Sequence, residues 1–196
     1  MAKFLVIAEK PSVAQSLAKN LSAYQREDGY LEGNSCIVSW CLGHLAEYAP
    51  PEIYDEKYAK WQFDDLPIIP EVWKVQVSED KKNQFEVLCS LMNRADVAYL
   101  VNGCDAGREG ELIFKRVYDL AGCQKPVKRL WISSMEDEAI QKGFQTLKDG
   151  KEYAGLCNAA VCRAQADWLI GMNGTRAYTT CYFKRLVVGR VQTPTL

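Results

Sequence analysis

An acidic, glycine-rich stretch in the middle of the chain holds the residues best suited to chemistry. The segment VNGCDAGREGE, residues 101–111, contains the carboxylates Asp105, Glu109 and Glu111 and the cation Arg108. Carboxylate oxygens are hard ligands, which suit Mg²⁺ better than zinc. The glycines are equally able to form a tight turn in which Asp105 or Glu109 caps the following helix. Taken alone, the segment leaves a metal site and a helix cap open.

A second reactive pair lies near the N-terminus, in the segment Glu9-Lys10-Pro11-Ser12. Glu9 is suited to general acid or base chemistry on an attacking or leaving oxygen, and Lys10 is suited to holding a phosphate. A lysine at the end of a strand is also commonly no more than an exposed side chain. The pair therefore indicates a phosphate site only if it lies beside the acidic segment.

Two short apolar runs, Lys3–Ala8 and Val97–Val101, are predicted to be buried strands that place these residues. In open parallel sheets, ligands bind at the carboxyl ends of the strands. If the two strands are neighbours, Glu9, Asp105 and Glu109 converge on one point. Carboxylates that close repel each other unless a cation neutralises them, which strengthens the prediction of a metal.

The rest of residues 1–150 alternates between predicted strands and helices, which is typical of an α/β fold with a mostly parallel sheet and helices on both faces. A capping box at Ser12 and Gln15 predicts the first helix, and Ser78 is predicted to cap another. Beyond Gly150 the pattern is helical. The other predicted elements are a hairpin over 29–40, an irregular excursion over 43–70, strands over 73–77 and 127–132, and helices over 78–94, 108–120, from the cap at 133–137, and over 153–170.

Composition places the chain among globular proteins, with 196 residues, 48% of them apolar. The first apolar run is too short for a signal peptide or a membrane span, so we expect a cytoplasmic protein with no membrane partner. Eight cysteines without a C-x-x-C pair, and His44 as the only histidine, argue for reduced thiols rather than zinc. The last 29 residues carry four cations and no acid, which indicates either a polyanion partner or a solvated face.

Seven segments, by their order and spacing along the chain, resemble the N-terminal part of bacterial type IA DNA topoisomerases of the topoisomerase III branch. The resemblance runs from residue 3 to the last residue, and the sequence stops without a closing element, as expected for a truncated fold. The segments are AEKPS (8–12), GHL (43–45), DAGREGE (105–111), RLWISS (129–134), RAQADWL (163–169), GMN with TR (171–176) and GRVQTPTL (189–196).

The resemblance implies a Toprim domain over residues 1–150, which is Rossmann-like and binds Mg²⁺, followed at 151–196 by the start of a helical domain that grips single-stranded DNA. The family's enzymes are isomerases that cut one DNA strand, pass another through the gap and reseal the break. They act through a 5′-phosphotyrosine and need no ATP, because the covalent intermediate conserves the phosphodiester energy. A helicase is the protein partner that the resemblance suggests.

Site residues carry over by position. Glu9 matches the glutamate to which the family's Toprim domain assigns proton transfer and proximity to the metal. Lys10 matches the lysine that contacts the scissile phosphate. Asp105 and Glu109 match the first and last acids of the family's D-x-D-x-E metal motif, and Arg108 its arginine. The resemblance assigns DNA contacts in the helical domain to Arg163, Asp167, Arg190 and Gln192, for which helix salt bridges are the alternative.

Two departures from the family pattern affect function. Gly107 replaces the middle acid, so we expect a single, weaker Mg²⁺ held by Asp105, Glu109 and either Glu9 or Glu111. No tyrosine of this chain lies in a context like that of the family's nucleophile, so we expect the chain alone neither to cleave nor to relax DNA. It should bind single strands weakly, in a salt-sensitive way, and in preference to duplex.

Two other classes of protein share the acidic motif. Other Toprim enzymes, primases or nucleases, lack an ending like GRVQTPTL. A stand-alone Toprim module that binds metal or nucleic acid differs only in the sequence beyond Leu196, where a topoisomerase continues to its tyrosine.

Overall fold

A computed structural model describes residues 2–190 and 192–195, which fall into two compact units. The first unit combines the residues up to Ala46 with Val77–Ala160, and the second combines Glu47–Gln76 with the residues from Val161 onward. The strands are β1 Lys3–Ala8, β2 Gln25–Glu27, β3 Tyr30–Glu32, β4 Cys36–Trp40, β5 Ala46–Tyr48, β6 Val75–Val77, β7 Val97–Gly103, β8 Val127–Arg129 and β9 Lys148–Asp149. The α-helices are α1 Pro11–Asn20, α2 Lys82–Asn93, α3 Arg108–Leu120, α4 Asp137–Gln145, α5 Ala154–Tyr182 and α6 Gln192–Thr195.

A seven-stranded sheet organises the first unit, in the order β2-β3-β4-β1-β7-β8-β9. The four central strands, β4, β1, β7 and β8, run parallel, while β2, β3 and β9 add antiparallel edges. This confirms the predicted α/β fold with a mostly parallel sheet. It also places β1 and β7 side by side at the centre, as the interpretation of the site required.

Helices cover both faces of this sheet because β1 and β7 are apolar on both sides. On one face, Leu5 and Leu100 pack with Leu88 and Met92 of α2 and Val117 of α3. On the other face, the side chains of Val6, Val38 and Val101 pack with Leu17 of α1 and Ile140 of α4. The core therefore fixes the central strands whose carboxyl ends carry Glu9 and Asp105.

The predicted side-chain caps at Ser12 and Ser78 are wrong, and at the helix predicted from 133–137 the N-cap is Glu136, without a side-chain cap bond. Lys10, not Ser12, is the N-cap of α1, and no side-chain hydrogen bond caps that helix. Pro11 occupies the first turn, where its fixed φ and missing N–H favour helix initiation, and this starts the helix before Ser12. At α2 a short 3₁₀ turn, Glu79–Lys81, separates Ser78 from the helix, so Ser78 caps nothing.

Other boundaries also differ from the prediction. The strand predicted over 127–132 ends at Arg129. The helix predicted over 153–170 continues to Tyr182 through two glycines, despite their low helix propensity. At Gly174 a side chain would be crowded, because a Cβ there would lie 3.0 Å from Val188 Cγ1 and the valine would have to shift. Close packing therefore accounts for this glycine within the helix.

In the second unit, the predicted irregular excursion consists mainly of short 3₁₀ turns that are tied to α5. The Asn173 side chain accepts a hydrogen bond from the Ile68 amide at 2.6 Å and donates one to the Ile68 carbonyl at 2.9 Å. Trp168 packs edge-on against Trp73, with centroids 5.4 Å apart, and donates from its indole to the Ala49 carbonyl. These bonds satisfy backbone groups that an irregular segment leaves unpaired.

A bidentate ion pair joins β3 to the end of α2 in the first unit. Arg94 donates to both carboxylate oxygens of Glu32, at 3.0 and 2.9 Å, and Lys3 contacts the same carboxylate. These cations, with the Arg94 hydrogen bonds contributing most, lower the pKa of Glu32 below its usual value. The pair therefore stabilises the fold only while Glu32 is ionised.

Glu32→Gln is expected to lower the free energy of unfolding at pH 7 by about 2 kcal/mol, the usual magnitude for hydrogen bonds to a charged group. Because the folded-state pKa is depressed, this contribution is complete above the unfolded-state pKa and is lost as the pH falls through the folded-state value. Urea unfolding at pH 7 and at pH 3 tests the change. Glu86→Gln, on the exposed side of α2, is the control. A deficit that is equal at both pH values would contradict the prediction.

Candidate phosphate and metal site

The carboxyl ends of β1 and β7 bring the two reactive segments together. Ala8 lies opposite Gly103 in the parallel ladder, so Glu9 and the loop that contains Asp105 leave the sheet at the same edge. The turn after β4 lies at the same edge. There Gly43, at φ +67°, donates its N–H to the Glu9 carbonyl at 3.2 Å. This juxtaposition is the one expected from the two apolar runs.

Lys10 lies between the two carboxylates at this edge. Its Nζ is 3.6 Å from Glu9 Oε1 and 3.7 Å from Asp105 Oδ2. Glu9 is largely buried, with 13% of its side chain exposed, whereas about half of the Lys10 and Asp105 side chains is exposed. The ammonium group therefore offsets one of the two carboxylate charges and stays open to an incoming anion, while a net negative charge remains for a cation to neutralise.

Glu109, in the first turn of α3, faces the single histidine. Its Oε2 lies 3.7 Å from His44 Nε2, and the Lys81 Nζ donates to the His44 carbonyl at 2.8 Å. The buried Nδ1 of His44 has no hydrogen-bond partner within the described residues. Sequence reasoning used His44 only as an argument against zinc and missed its place beside a predicted metal ligand, although the segment Gly43-His44-Leu45 contributed to the family resemblance.

Within residues 2–190 and 192–195, no group of three or more His, Cys, Asp or Glu side chains lies close enough together to hold a metal ion. The structure brings Glu9 and Asp105 to Lys10, and Glu109 to His44. Glu111, the alternative ligand predicted from the sequence, points into the interior. Its side chain is only 9% exposed and is paired with Arg129.

Arg129 is the main support of the acidic loop. Its Nε donates to Glu111 Oε1 at 2.6 Å, and Nη1 donates to the carbonyls of Asn102, Cys104 and Leu130 at 2.7–3.0 Å. Its Nη2 donates to the Asp105 carbonyl at 2.8 Å. With only 1% of its side chain exposed, this guanidinium holds the backbone from which the Asp105 side chain projects.

Asn102 completes the support of the loop. Its side-chain oxygen accepts a hydrogen bond from the Cys104 amide at 3.1 Å, and its amide nitrogen lies 3.3 Å from Glu111 Oε2. No pattern in the sequence indicates this network, because buried arginine and glutamate are rare and neither residue is predicted to be inside. Arg129 enters the sequence-based interpretation only as part of the RLWISS resemblance.

Two glycines of the loop have opposite surroundings. A Cβ on Gly110 would lie 2.1 Å from the Asp105 carbonyl oxygen, so the loop folds directly over this residue. A Cβ on Gly107 would meet nothing within 4 Å, and its φ of 172° is extended backbone that any residue adopts. The loop therefore requires glycine at 110, whereas the position where the family has its middle acid has room for a side chain.

Two thiols lie directly behind the loop. Cys41 and Cys104 follow β4 and β7, the strands on either side of β1, and both are buried. A hydrogen bond with Cys41, together with burial, raises the pKa of the Cys104 thiol well above its usual value. Cys104 is therefore a protonated thiol at neutral pH. All eight cysteines are free in the structure.

The predicted DNA-contact residues of the C-terminal part lie in the second unit. Three of them meet there, since Asp167 Oδ1 is 3.0 Å from Arg190 Nε and Asp167 Oδ2 is 3.9 Å from Arg163 Nε. Gln192 begins α6. Arg108, in the first unit, is the first residue of α3 and is exposed there. Asp167 thus orients two cations whose side chains remain partly exposed.

No helix among the described residues is long and apolar enough to cross a membrane.

Two families, several bacterial proteins and a solved structure are similar to this chain. The Toprim domain family matches residues 4–135, and a family described as DNA topoisomerase matches residues 151–196. The chain is 50% identical, over all of its 196 residues, to proteins named DNA topoisomerase 3 from Bacillus subtilis and Shouchella clausii, and it spans 27% of the length of each. Its fold resembles full-length topoisomerase I from Thermotoga maritima, with a TM-score of 0.59 and 18% identity over 87% of this chain and 25% of that one.

Proposed function

We propose, from the premise that this chain belongs to the Toprim domain family, that it is the N-terminal part of a type IA DNA topoisomerase of the topoisomerase III branch. In this proposal residues 1–150 form the Toprim domain and residues 151–196 begin the domain that holds single-stranded DNA. The whole enzyme would act in the cytoplasm, cut one strand without ATP, pass another through and reseal the break. A helicase would be its partner.

The observation that carries the proposal is the meeting of Glu9, Lys10 and Asp105 at the carboxyl ends of two adjacent parallel strands. Lys10 is placed to hold a phosphate oxygen while it remains close to both carboxylates. Glu9, largely buried beside it, is suited to exchange a proton with the attacking or leaving oxygen of the DNA strand. The attacking tyrosine would come from a part of the enzyme outside this chain.

The residues present fit a magnesium ion. Mg²⁺ keeps several of its waters and is commonly bound by one or two carboxylates together with substrate phosphates. Asp105 and Glu9 supply such oxygens beside Lys10. Glu109 follows in the first turn of α3, and the open space at Gly107 leaves room for water. When bound, the ion would neutralise phosphate charge. The Arg129 network keeps the Asp105 backbone in place.

A magnesium titration of the 196-residue chain, with and without a single-stranded oligonucleotide, tests this function. Asp105→Asn is expected to weaken Mg²⁺ binding by about tenfold or more, because it removes an ionised ligand. Gly107→Asp is expected to strengthen binding, since it restores the missing acid where a side chain has room. Calorimetry measures both, and Asp149→Asn, far from the loop on β9, is the control. Unchanged affinity in both site variants would refute the proposed ion site.

The isolated chain is expected to leave negatively supercoiled plasmid unrelaxed at every Mg²⁺ concentration. The reason is chemical, since Glu9, Lys10 and Asp105 supply proton transfer and phosphate binding but no nucleophile. Agarose gel electrophoresis after incubation with plasmid measures the outcome. Relaxation by the purified chain, but not by its Lys10→Ala variant, would contradict the assignment of the nucleophile to another part of the enzyme.

A further inference from the structure

A second concave site lies in the first unit, on the α3 side of the sheet and behind the acidic loop. It is a cavity of about 730 Å³, between the C-terminal half of α3, strand β8 with the edge strand β9, and the first turn of α5. This volume is within the range of small-molecule sites, which is roughly 300–1,000 Å³. None of Glu9, Lys10, Asp105 and Glu109 lines it.

The charges that face the cavity leave an excess of three lysines, Lys125, Lys148 and Lys151. Glu111 is paired with Arg129 and Asp119 with Lys115, at 2.6 and 2.7 Å, so these four side chains neutralise one another. Another lining lysine, Lys125, donates to the backbone carbonyl of Arg94. In the part of the chain that the structure describes, Lys148 and Lys151 have neither an ion pair nor a side-chain hydrogen bond, and both are exposed.

The strand register directs one of these lysines into the cavity. Lys148 lies opposite Arg129 in the antiparallel β8–β9 pair, and directly opposed residues project from the same face of a sheet. Val127, two residues before Arg129 and therefore on the same face of β8, packs against the core on the α3 side, so the Lys148 side chain also projects to the α3 side, where the cavity lies. Lys128 and Asp149, the next opposed pair, also border the cavity, but their side chains project from the other face, where the Lys128 Nζ lies 4.6 Å from the Tyr99 ring centroid.

Aromatic rings form two walls of the same cavity. Tyr118 is stacked on Phe114, with centroids 6.0 Å apart, and Tyr153 is stacked on Trp131, with centroids 4.9 Å apart. Tyr118 and Tyr153 are both partly exposed, so each presents ring surface that a second ring packed behind it holds in place. Fixed ring faces bind planar ligands by stacking, and the exposed amides of Gln124 and Asn158 at the rim can pair with a polar ring edge.

We propose that this cavity binds a nucleoside phosphate, with the phosphates on Lys148 and Lys151 and the base between the tyrosine-lined walls. The excess of positive charge favours binding of an anion, and the ring surfaces favour binding of a planar group. A nucleoside phosphate combines the two. Arg129 and Glu111 separate this cavity from the acidic loop and are already fully engaged with each other and with backbone carbonyls. A nucleotide in the cavity is therefore compatible with DNA or metal at the loop.

Equilibrium titration with adenosine diphosphate, in buffer with EDTA, tests the proposal on the 196-residue chain. Pyrophosphate and adenosine, titrated in parallel, separate the contribution of charge from that of the ring. We expect measurable binding of the diphosphate and at least tenfold weaker binding of either half, because each half loses one set of contacts. Binding of pyrophosphate as tight as that of the nucleotide would overturn the proposal, as would no binding at millimolar concentration.

Variants locate the bound nucleotide. The double variant Lys148→Gln, Lys151→Gln is expected to weaken binding by about tenfold or more, since charge-assisted hydrogen bonds to phosphate are lost. Lys142→Gln, on the exposed side of α4, matches the loss of a lysine elsewhere and should bind normally. Lys10→Gln should also bind normally, and this result separates the cavity from the proposed DNA site. If Lys10→Gln abolished binding while the double variant retained it, the nucleotide would belong to the acidic loop and the cavity proposal would be wrong.

Discussion

Replacing Arg129 with alanine is expected to lower the free energy of unfolding by about 3–5 kcal/mol, the magnitude measured when one partner of a buried ion pair is removed. The variant leaves the Glu111 carboxylate buried without its cation, and it removes the donors of the Asn102, Cys104, Asp105 and Leu130 carbonyls. Urea unfolding at neutral pH measures the change. Lys142→Ala, at an exposed position of α4, is the control and should remain within about 0.5 kcal/mol of the parent.

A double variant separates lost stability from lost positioning. Replacing Arg129 with methionine and Glu111 with leucine removes both charges together, which commonly restores much of the stability. Without the guanidinium, however, the carbonyls of Cys104 and Asp105 lose its hydrogen bonds, and the acidic loop loses its fixed position. We therefore expect the double variant to fold but to bind Mg²⁺ at least tenfold more weakly than the parent. Full Mg²⁺ affinity in a folded double variant would show that Arg129 does not position the loop.

Gly110→Ala is expected to destabilise the chain by about 3 kcal/mol, at the upper end of the range for overpacking. In an open helix the same change would be stabilising by up to about 1 kcal/mol, because alanine has the higher helix propensity. Here the sign is reversed, since a Cβ would lie 2.1 Å from the Asp105 carbonyl oxygen and the loop would have to move. That movement breaks the hydrogen bond between Arg129 and Asp105.

Gly107→Ala is the matched control for this prediction. Its Cβ would meet nothing within 4 Å, so we expect its stability to remain within about 0.5 kcal/mol of the parent. Thermal unfolding compares the two variants, and a magnesium titration reports whether Asp105 has moved. A Gly110→Ala variant as stable as Gly107→Ala would contradict the packing argument.

The sequence alone was sufficient to predict the centre of the fold. Lys3–Ala8 and Val97–Val101 are mostly apolar along their length, which is typical of strands that are buried on both faces, and their pairing places Glu9 beside the acidic loop. The edge strands β2 and β9 were missed because they are only three and two residues long and are polar. Short edges of this kind owe their structure to the neighbouring strand rather than to a local pattern.

The supports of the site could not be predicted from the sequence. Nothing in the spacing of VNGCDAGREGE distinguishes Glu111, which faces inward, from Glu109, which faces His44. Nor does it indicate which glycine lies under a carbonyl group, because that depends on how the loop returns over α3. The caps at Ser12 and Ser78 were wrong for a similar reason. Pro11 and the 3₁₀ turn, rather than the serine side chains, set the true start of each helix.

The buried guanidinium of Arg129 has a consequence for engineering. The eleven residues 101–111 look like a self-contained cassette that could be transplanted into any parallel α/β scaffold to create an acidic site. Their shape is nevertheless specified by an arginine 24 residues beyond Asp105, on a different strand. A graft of the cassette alone would carry the carboxylates without their geometry. The smallest transplantable unit is the cassette together with α3 and the strand that delivers Arg129.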